Sequence, residues 1–246
     1  PIIGEDLGAW IRGDYTISDI TLNRFFAFHV VAVPLVLIGL IAAHLMALHE
    51  TGSNNPDGIE IKKQPKDPAT GLPLDGIYSH PYYTVKDIVG VIAFLAVFST
   101  IMFFVPDMGG YFLEANNFIP ADPLKTPEHI APVWYFTPFY ASLRAVPNKL
   151  VGVALMGSAV LLLFFLPWLD RCRVKSIRYR SWIYKLALMV FAITFVSLGY
   201  LGLQPATGAV PRLSLVFTIL YFAFFALMPF YTRNEKTKPV PTRVTW

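Results

Sequence analysis

Residues 24–56 read RFFAFHVVAVPLVLIGLIAAHLMALHETGSNNP, and the apolar run at 25–48 is long enough to cross a bilayer as one helix. It carries His29 near one end and His44 near the other. An imidazole inside a span needs a partner. An α-helix advances about 1.5 Å and 100° per residue, so fifteen positions set the two rings roughly 22 Å apart along the axis and about 60° apart around it. Both therefore face one partner. Two neutral imidazoles on one face, one near each membrane surface, suit two stacked haems. Ala32, Gly39, Ala42 and Ala43 would let a flat macrocycle approach, and Pro34 is tolerated where neighbours satisfy the freed carbonyl. The competing reading is that each histidine hydrogen-bonds a neighbouring helix.

The rest of the chain extends the membrane pattern. Apolar spans are expected at 88–105, 150–169, 183–203 and 213–231, which with the first makes an all-α, polytopic bundle of five helices. With 55% hydrophobic, 15% aromatic and 15% charged residues, the 246-residue chain is far from the soluble average. Its net charge of +4 is scattered through loops and forms no basic face, so nucleic acid is not an expected partner. The single cysteine, Cys172, excludes an internal disulfide. The opening Pro-Ile-Ile carries no signal-peptide pattern and reads as a piece of a longer protein. Residues 1–21 read as the end of an extramembrane loop with Trp10 and Tyr15 at the interface, and 51–83 as an extramembrane linker. The 106–148 connection is too long for a bare loop and should carry short helices and function.

Lys and Arg counts orient the chain. Lys62, Lys63, Lys66, Lys86, Arg171, Arg173, Lys175, Arg178, Arg180, Arg233, Lys236, Lys238 and Arg243 fall on one side, against Arg12, Lys125, Arg144, Lys149 and Arg212 on the other. The first set marks the cytoplasm. Residue 1 is then outside, the C-terminus inside, His29 the outer ligand and His44 the inner.

The first span and its LHETGSNNP end, with HPYYTVKD, PVWYF, LRAVPNKL, GLQP and LMPF in this order, resemble cytochrome b of the cytochrome bc complexes. The resemblance implies residues 1–56 as the end of an N-terminal haem-binding bundle, its other helices absent, and 57–246 as the C-terminal domain. It implies two b-type haems and a ubiquinol:cytochrome c oxidoreductase. A Rieske iron-sulfur protein, a cytochrome c-type subunit and membrane lipid would be partners in a dimeric complex of the bacterial inner membrane. The fifteen-position spacing resembles photosynthetic counterparts, yet LHETGSNNP and the extra last helix argue against their split form.

Two quinone pockets follow from the resemblance. At the inner one, His49, Ser53, Asn54, Lys86 and Asp87 bind quinone, His49 and Asp87 serving proton transfer; a Phe common in relatives is Ser79 here. At the outer one, Pro132, Val133, Trp134, Tyr135 and Phe136 line the quinol site, where many relatives have a proton-accepting Glu in place of Val133. Val133 accepts no proton. Glu114, in the apolar setting YFLEANNF, is the first candidate to replace it, ahead of Glu128, Asp122 and His129. Tyr135 is a further catalytic candidate, Asp122 is expected to cap a turn, and Arg144 to serve as a structural ion-pair or haem-side residue. The rivals are a di-haem membrane anchor of another quinone-linked dehydrogenase and a non-redox transport or structural protein.

Overall fold

The computed structural model describes residues 3–110, 112–113, 115–120, 122, 124–125, 127 and 130–245. Its helices are α1 (Gly4–Arg12), α2 (Asp19–Thr51), α3 (Tyr82–Phe104), α4 (Thr137–Arg144), α5 (Lys149–Leu169), α6 (Trp182–Leu203) and α7 (Val210–Arg233). The described residues form no strand beyond one isolated bridge between Lys66 and Pro73. Five helices, α2, α3 and α5 to α7, are long and apolar enough to span a membrane. The chain is a multi-pass membrane protein.

Chain chemistry sets the helix ends. The Thr21 hydroxyl accepts from the Ser18 N–H at 3.2 Å at the start of α2, Asn148 accepts from Val151 N–H at 3.1 Å to open α5, and Ser181 accepts from Tyr184 N–H at 3.3 Å to open α6. Pro138 and Pro211 sit in the first turns of α4 and α7, where no donor is missed. Two expectations change. Residues 4–12 are helical, with Glu5 and Asp6 in the first turn, Arg12 in the last and left-handed Gly13 (φ 82°) ending it, so this segment is not a bare loop. Helix α3 begins at Tyr82, ahead of the span expected from 88, which puts Lys86 and Asp87 in its second turn.

Within α2, residues Phe28–Ala32 form a π-turn, in which Val33 N–H donates to the Phe28 carbonyl five residues back. Pro34 follows at once. Its missing donor and its ring disfavour the ordinary i→i−4 ladder there.

The packed core lies in the second half of the chain. Short α4 turns back into the bundle and packs on α5, α6 and α7, while α6 packs along α7. Its Thr137, Pro138, Ala141 and Ser142 are buried on one face, and Ala141 joins Ala159, Leu198, Leu201, Tyr221 and Phe225 in the core cluster. Phe191 stacks on Phe224 at 4.5 Å between ring centroids. By contrast, none of the apolar window of α2 or α3 is buried, against 28% for α7. Those two helices hold their apolar surface for lipid or other helices.

Two glycines set the seat of α4. A Cβ on Gly202 would lie 2.1 Å from the Thr137 carbonyl oxygen, and one on Gly152 2.3 Å from that of Leu143. Neither contact admits a methyl group. Gly202→Ala is expected to lower stability by about 1–3 kcal/mol through overpacking, read as a fall in thermal midpoint in detergent. Gly157→Ala, which meets nothing within 4 Å, should leave it unchanged.

Candidate functional site

Three imidazoles sit on α2. His49 Nδ1 donates to the Leu45 carbonyl at 2.7 Å, which leaves its Nε2 lone pair free to accept a proton or a hydrogen bond. Neither His29 nor His44 has a hydrogen-bond partner among the described residues, though both lie on an exposed apolar helix. No cluster of three or more His, Cys, Asp or Glu that could hold a bare metal ion occurs among the described residues. Two separate, unpartnered imidazoles fit axial ligation of a macrocycle that brings its own four nitrogens.

At the far end of α2, the Lys62 ammonium donates to the carbonyls of His49 and Glu50, capping the helix. The side chains of Ser53 and Asn54 are exposed and make no hydrogen bond among the described residues. Asn55 makes the turn: its carboxamide oxygen accepts from Asp57 and Ile59 N–H at 3.2 and 3.0 Å, and its amide donates to the Ile59 carbonyl at 2.6 Å. Lys86 and Asp87 are likewise exposed and unpaired among the described residues. No hydrogen bond joins them to His49, Ser53 or Asn54. The five residues thus present free polar groups at the ends of α2 and α3 and are not locked into a protein network.

What holds this side together went unread in the sequence. The buried Asp57 carboxylate accepts from Tyr179 OH at 2.5 Å, Arg178 at 2.9 Å, and Thr245 N–H and hydroxyl at 2.7 and 2.9 Å. Those bonds, led by the Tyr179 hydroxyl, hold its pKa at about 2. Asp75 accepts a bidentate pair from Arg243 at 2.6 and 2.7 Å, which lowers its pKa too. Glu60 pairs with Lys175 and Lys63, and its pKa falls to about 2. Arg180 grips Asp170 and Glu235 and lies 3.4 Å over the Tyr184 ring. Burial alone would raise the Glu235 carboxyl, but bonds from Arg180 and Ser181 outweigh it and leave it lowered. The linker, the 170–181 loop and the C-terminal tail are thereby clamped together.

On the opposite side a cavity of about 630 Å³ opens between the 106–134 connection and the end of α6. Pro132, Val133 and Trp134 line it, with Met108 to Gly110, Phe112, Asn116, Asn117, Ile130 and Leu203 among the other walls. The 3₁₀ turns at Met108–Gly110, Ala115–Phe118 and Trp134–Phe136, with α4, are the short helices expected of this connection. Tyr135 and Phe136 are not in the wall. The Tyr135 ring is 53% exposed, edge-on to Trp134 at 5.5 Å and tilted on Phe136 at 4.8 Å. Asn116 and Asn117 bring amides to the wall that apolar and proline patterning did not signal. Glu114, Glu128 and His129 lie outside the described residues. Asp122 makes the expected turn, accepting from Leu124 N–H at 2.9 Å.

Among the described residues Arg144 pairs with no acid. Its guanidinium donates to the carbonyls of Leu201, Gly202 and Gln204 at 3.1, 3.0 and 2.9 Å and stacks 4.4 Å from the Tyr140 ring centroid. A cation on the last carbonyls of α6 satisfies groups the helix cannot, and it complements the dipole. Among the described residues it is carbonyls, not a carboxylate, that engage this guanidinium.

Two sequence profiles match the chain: cytochrome b(N-terminal)/b6/petB over residues 1–138 and cytochrome b(C-terminal)/b6/petD over residues 120–222. The chain is 59% identical to a cytochrome b of Allochromatium vinosum, covering 100% of this chain and 60% of that protein. It is 43% identical to a cytochrome b of Rhodospirillum rubrum, covering 100% and 57%. A solved hyperthermophilic respiratory Complex III chain superposes with a TM-score of 0.81 at 38% identity, covering 94% of this chain and 56% of that one. The chain thus spans somewhat over half the length of these relatives.

The Asp57 clamp has a defined pH response. A carboxyl held at about 2 when folded and near 4 when unfolded stabilises the fold fully above about pH 4, and the contribution is lost as pH falls through about 2. Spin labels at exposed positions 69 and 236 should show a narrow distance distribution at pH 7 that broadens between about pH 4 and pH 2. Asp57→Asn should broaden it already at pH 7. An unchanged distribution in that variant would contradict the clamp.

Proposed function

The chain belongs to the cytochrome b family, and from that premise we propose that it is the haem- and quinone-binding membrane subunit of a ubiquinol:cytochrome c oxidoreductase. The observation that carries this reading is the pairing of two imidazoles on α2, unpartnered among the described residues, with a cavity lined by Pro132, Val133 and Trp134 at the end of α6. His29 and His44 would each hold one b-type haem through a ring nitrogen. Bound haems would supply one-electron transfer between the two membrane surfaces. Residues 1–56 close the haem-binding bundle and 57–246 form the C-terminal domain.

At the outer cavity, Pro132, Val133 and Trp134 give a rigid apolar wall for a flat quinol head, with Tyr135 and Phe136 at its margin. Quinol oxidation releases two electrons and two protons. One electron goes to a Rieske iron-sulfur protein and on to a cytochrome c-type subunit, the other across the membrane. Val133 accepts no proton, so another group of the same connection takes its place, and Glu114 is our assignment. At the inner site, quinone takes two electrons and two protons. Lys86 and the Ser53 and Asn54 side chains orient its carbonyls, while His49 Nε2 and Asp87 relay protons from the cytoplasm. The Lys and Arg asymmetry supports an outer residue 1 and a cytoplasmic tail in a bacterial inner membrane; in this reading the complex is dimeric.

Quinol-dependent cytochrome c reduction by the full-length parent in membranes tests the reading. Asp87→Asn should slow quinone reduction at the inner site by about 10²-fold or more, the scale of general acid–base catalysis. Glu114→Gln should slow quinol oxidation and move its pH profile. If Glu114→Gln leaves both rate and profile unaltered, Glu114 is not the acceptor.

A further inference from the structure

Helix α2 stops abruptly, and the way it stops leaves two carbonyls over. Gly52 N–H still donates to the Leu48 carbonyl at 2.8 Å, but Gly52 then takes φ 84° and ψ 167°, a backbone that favours glycine, and the chain leaves the helix there. The carbonyls of His49 and Glu50 would next take the N–H groups of Ser53 and Asn54. Neither bond forms, and no other backbone donor reaches these two carbonyls among the described residues. They are the orphan acceptors of a helix end.

Lys62 fills both. Its ammonium donates to the His49 carbonyl and, at 3.1 Å, to that of Glu50, from thirteen and twelve positions further along the chain. Its stem lies on Gly52, where a Cβ would meet Lys62 Cε at 3.3 Å and Cδ at 3.5 Å. A cation at this end also complements the helix dipole. Lys62 is itself held in place. It is the middle residue of the 3₁₀ turn Ile61–Lys63, and Glu60, just before the turn, pairs with Lys63 and with Lys175 of the 170–181 loop. The Ser176 hydroxyl donates to the Pro56 carbonyl at 2.5 Å, and a Cβ on Gly58 would come within 3.0 Å of the Ser176 nitrogen. Residues 52–63 thus form a loop closed onto α2 by Lys62 and seated on the 170–181 loop.

Three of the groups assigned to quinone hang on this joint. His49 lies in the last turn of α2, its ring tied to the Leu45 carbonyl, and Ser53 and Asn54 follow Gly52 directly. Without Lys62, the nearest donors for the two carbonyls are the N–H groups of Ser53 and Asn54. Supplying them means continuing the helix, which carries each residue about 100° round the axis per step and takes both out of the loop. Resting on the assignment of the inner quinone site, we propose that Lys62 is a positioning residue of that site: it holds the end of α2 open at Gly52 and so sets where His49, Ser53 and Asn54 meet the quinone. It acts through those three residues, not by touching the quinone.

Lys62→Met in the full-length parent removes the cation and keeps most of the stem. It is to be read in membranes by rapid mixing with a short-chain ubiquinol and ubiquinone, and by the paramagnetic resonance of the semiquinone at the inner site. The kcat/KM for quinone reduction there is expected to fall on the order of 10²-fold, the scale of a 1 Å misplacement, with the resonance lost or shifted. First-turnover quinol oxidation at the outer site should be unchanged. Lys62→Arg, which donates to both carbonyls, should restore rate and resonance. Lys63→Met, which removes the same charge one residue on, should leave both unaltered. An unchanged inner rate and resonance in Lys62→Met overturns the proposal, as does an equal loss in Lys63→Met or a loss that Lys62→Arg does not restore. Where Lys62→Met does not assemble, Lys62→Gln, an uncharged donor one atom shorter, is read against the outer-site rate in the same membranes with the same expectations. Full inner-site turnover in a parallel Asp87→Asn variant would overturn the site assignment instead, which separates the two failures.

Discussion

The outer half of the molecule depends on the seating of α4. This eight-residue helix enters the bundle from a connection rich in proline and aromatic residues, and it stays because two glycines let its backbone touch α5 and α6. Arg144, its last residue, then closes the carbonyl end of α6. At the edge of a bilayer such carbonyls have no strand or helix to turn to, and an unsatisfied one costs several kcal/mol by the estimate for lipid-exposed backbone, on the order of 2–7 kcal/mol. With α4 fixed, the preceding Trp134–Phe136 turn is fixed too, through the Thr137 hydroxyl bond to the Trp134 carbonyl at 2.6 Å. The cavity wall is thus an extension of the packed core.

The other side is built on charge. Asp57, Asp75, Glu60 and the Arg180 group join three segments far apart in sequence, and they do so directly beyond the loop that carries Ser53 and Asn54. The contrast in use is physical. Carboxylates that anchor the loop are saturated with donors and held ionised, whereas His49 Nε2, Lys86 and Asp87 are unengaged by the described residues. Groups of the second kind are the ones able to bind a ligand or move a proton.

Much of this was legible in the sequence, and the exceptions share a reason. Five spans follow from apolar run length alone, and the short helices of the 106–148 connection follow from its length. Val133 was readable as an apolar wall residue. The Asp57 hub was not, because Tyr179 and Thr245 lie 122 and 188 positions away and no local pattern marks them. The start of α3 was placed late because hydropathy rises at Ile88, while Tyr82 and Tyr83 continue the helix through the interfacial zone. The role of Arg144 required the end of α6 to be in place. Pro34 was visible as a helix breaker, but the π-turn before it is a backbone event that side-chain periodicity does not report.

The proposed function requires His29 and His44 to be ligands of two separate haems, and a dithionite-reduced minus oxidised spectrum of the full-length parent in membranes tests that most directly. With His29→Leu and His44→Leu measured alongside, two b-type bands should appear in the wild type and a different one should vanish in each variant. A parent without b-type bands, or variants that keep both, would contradict the account.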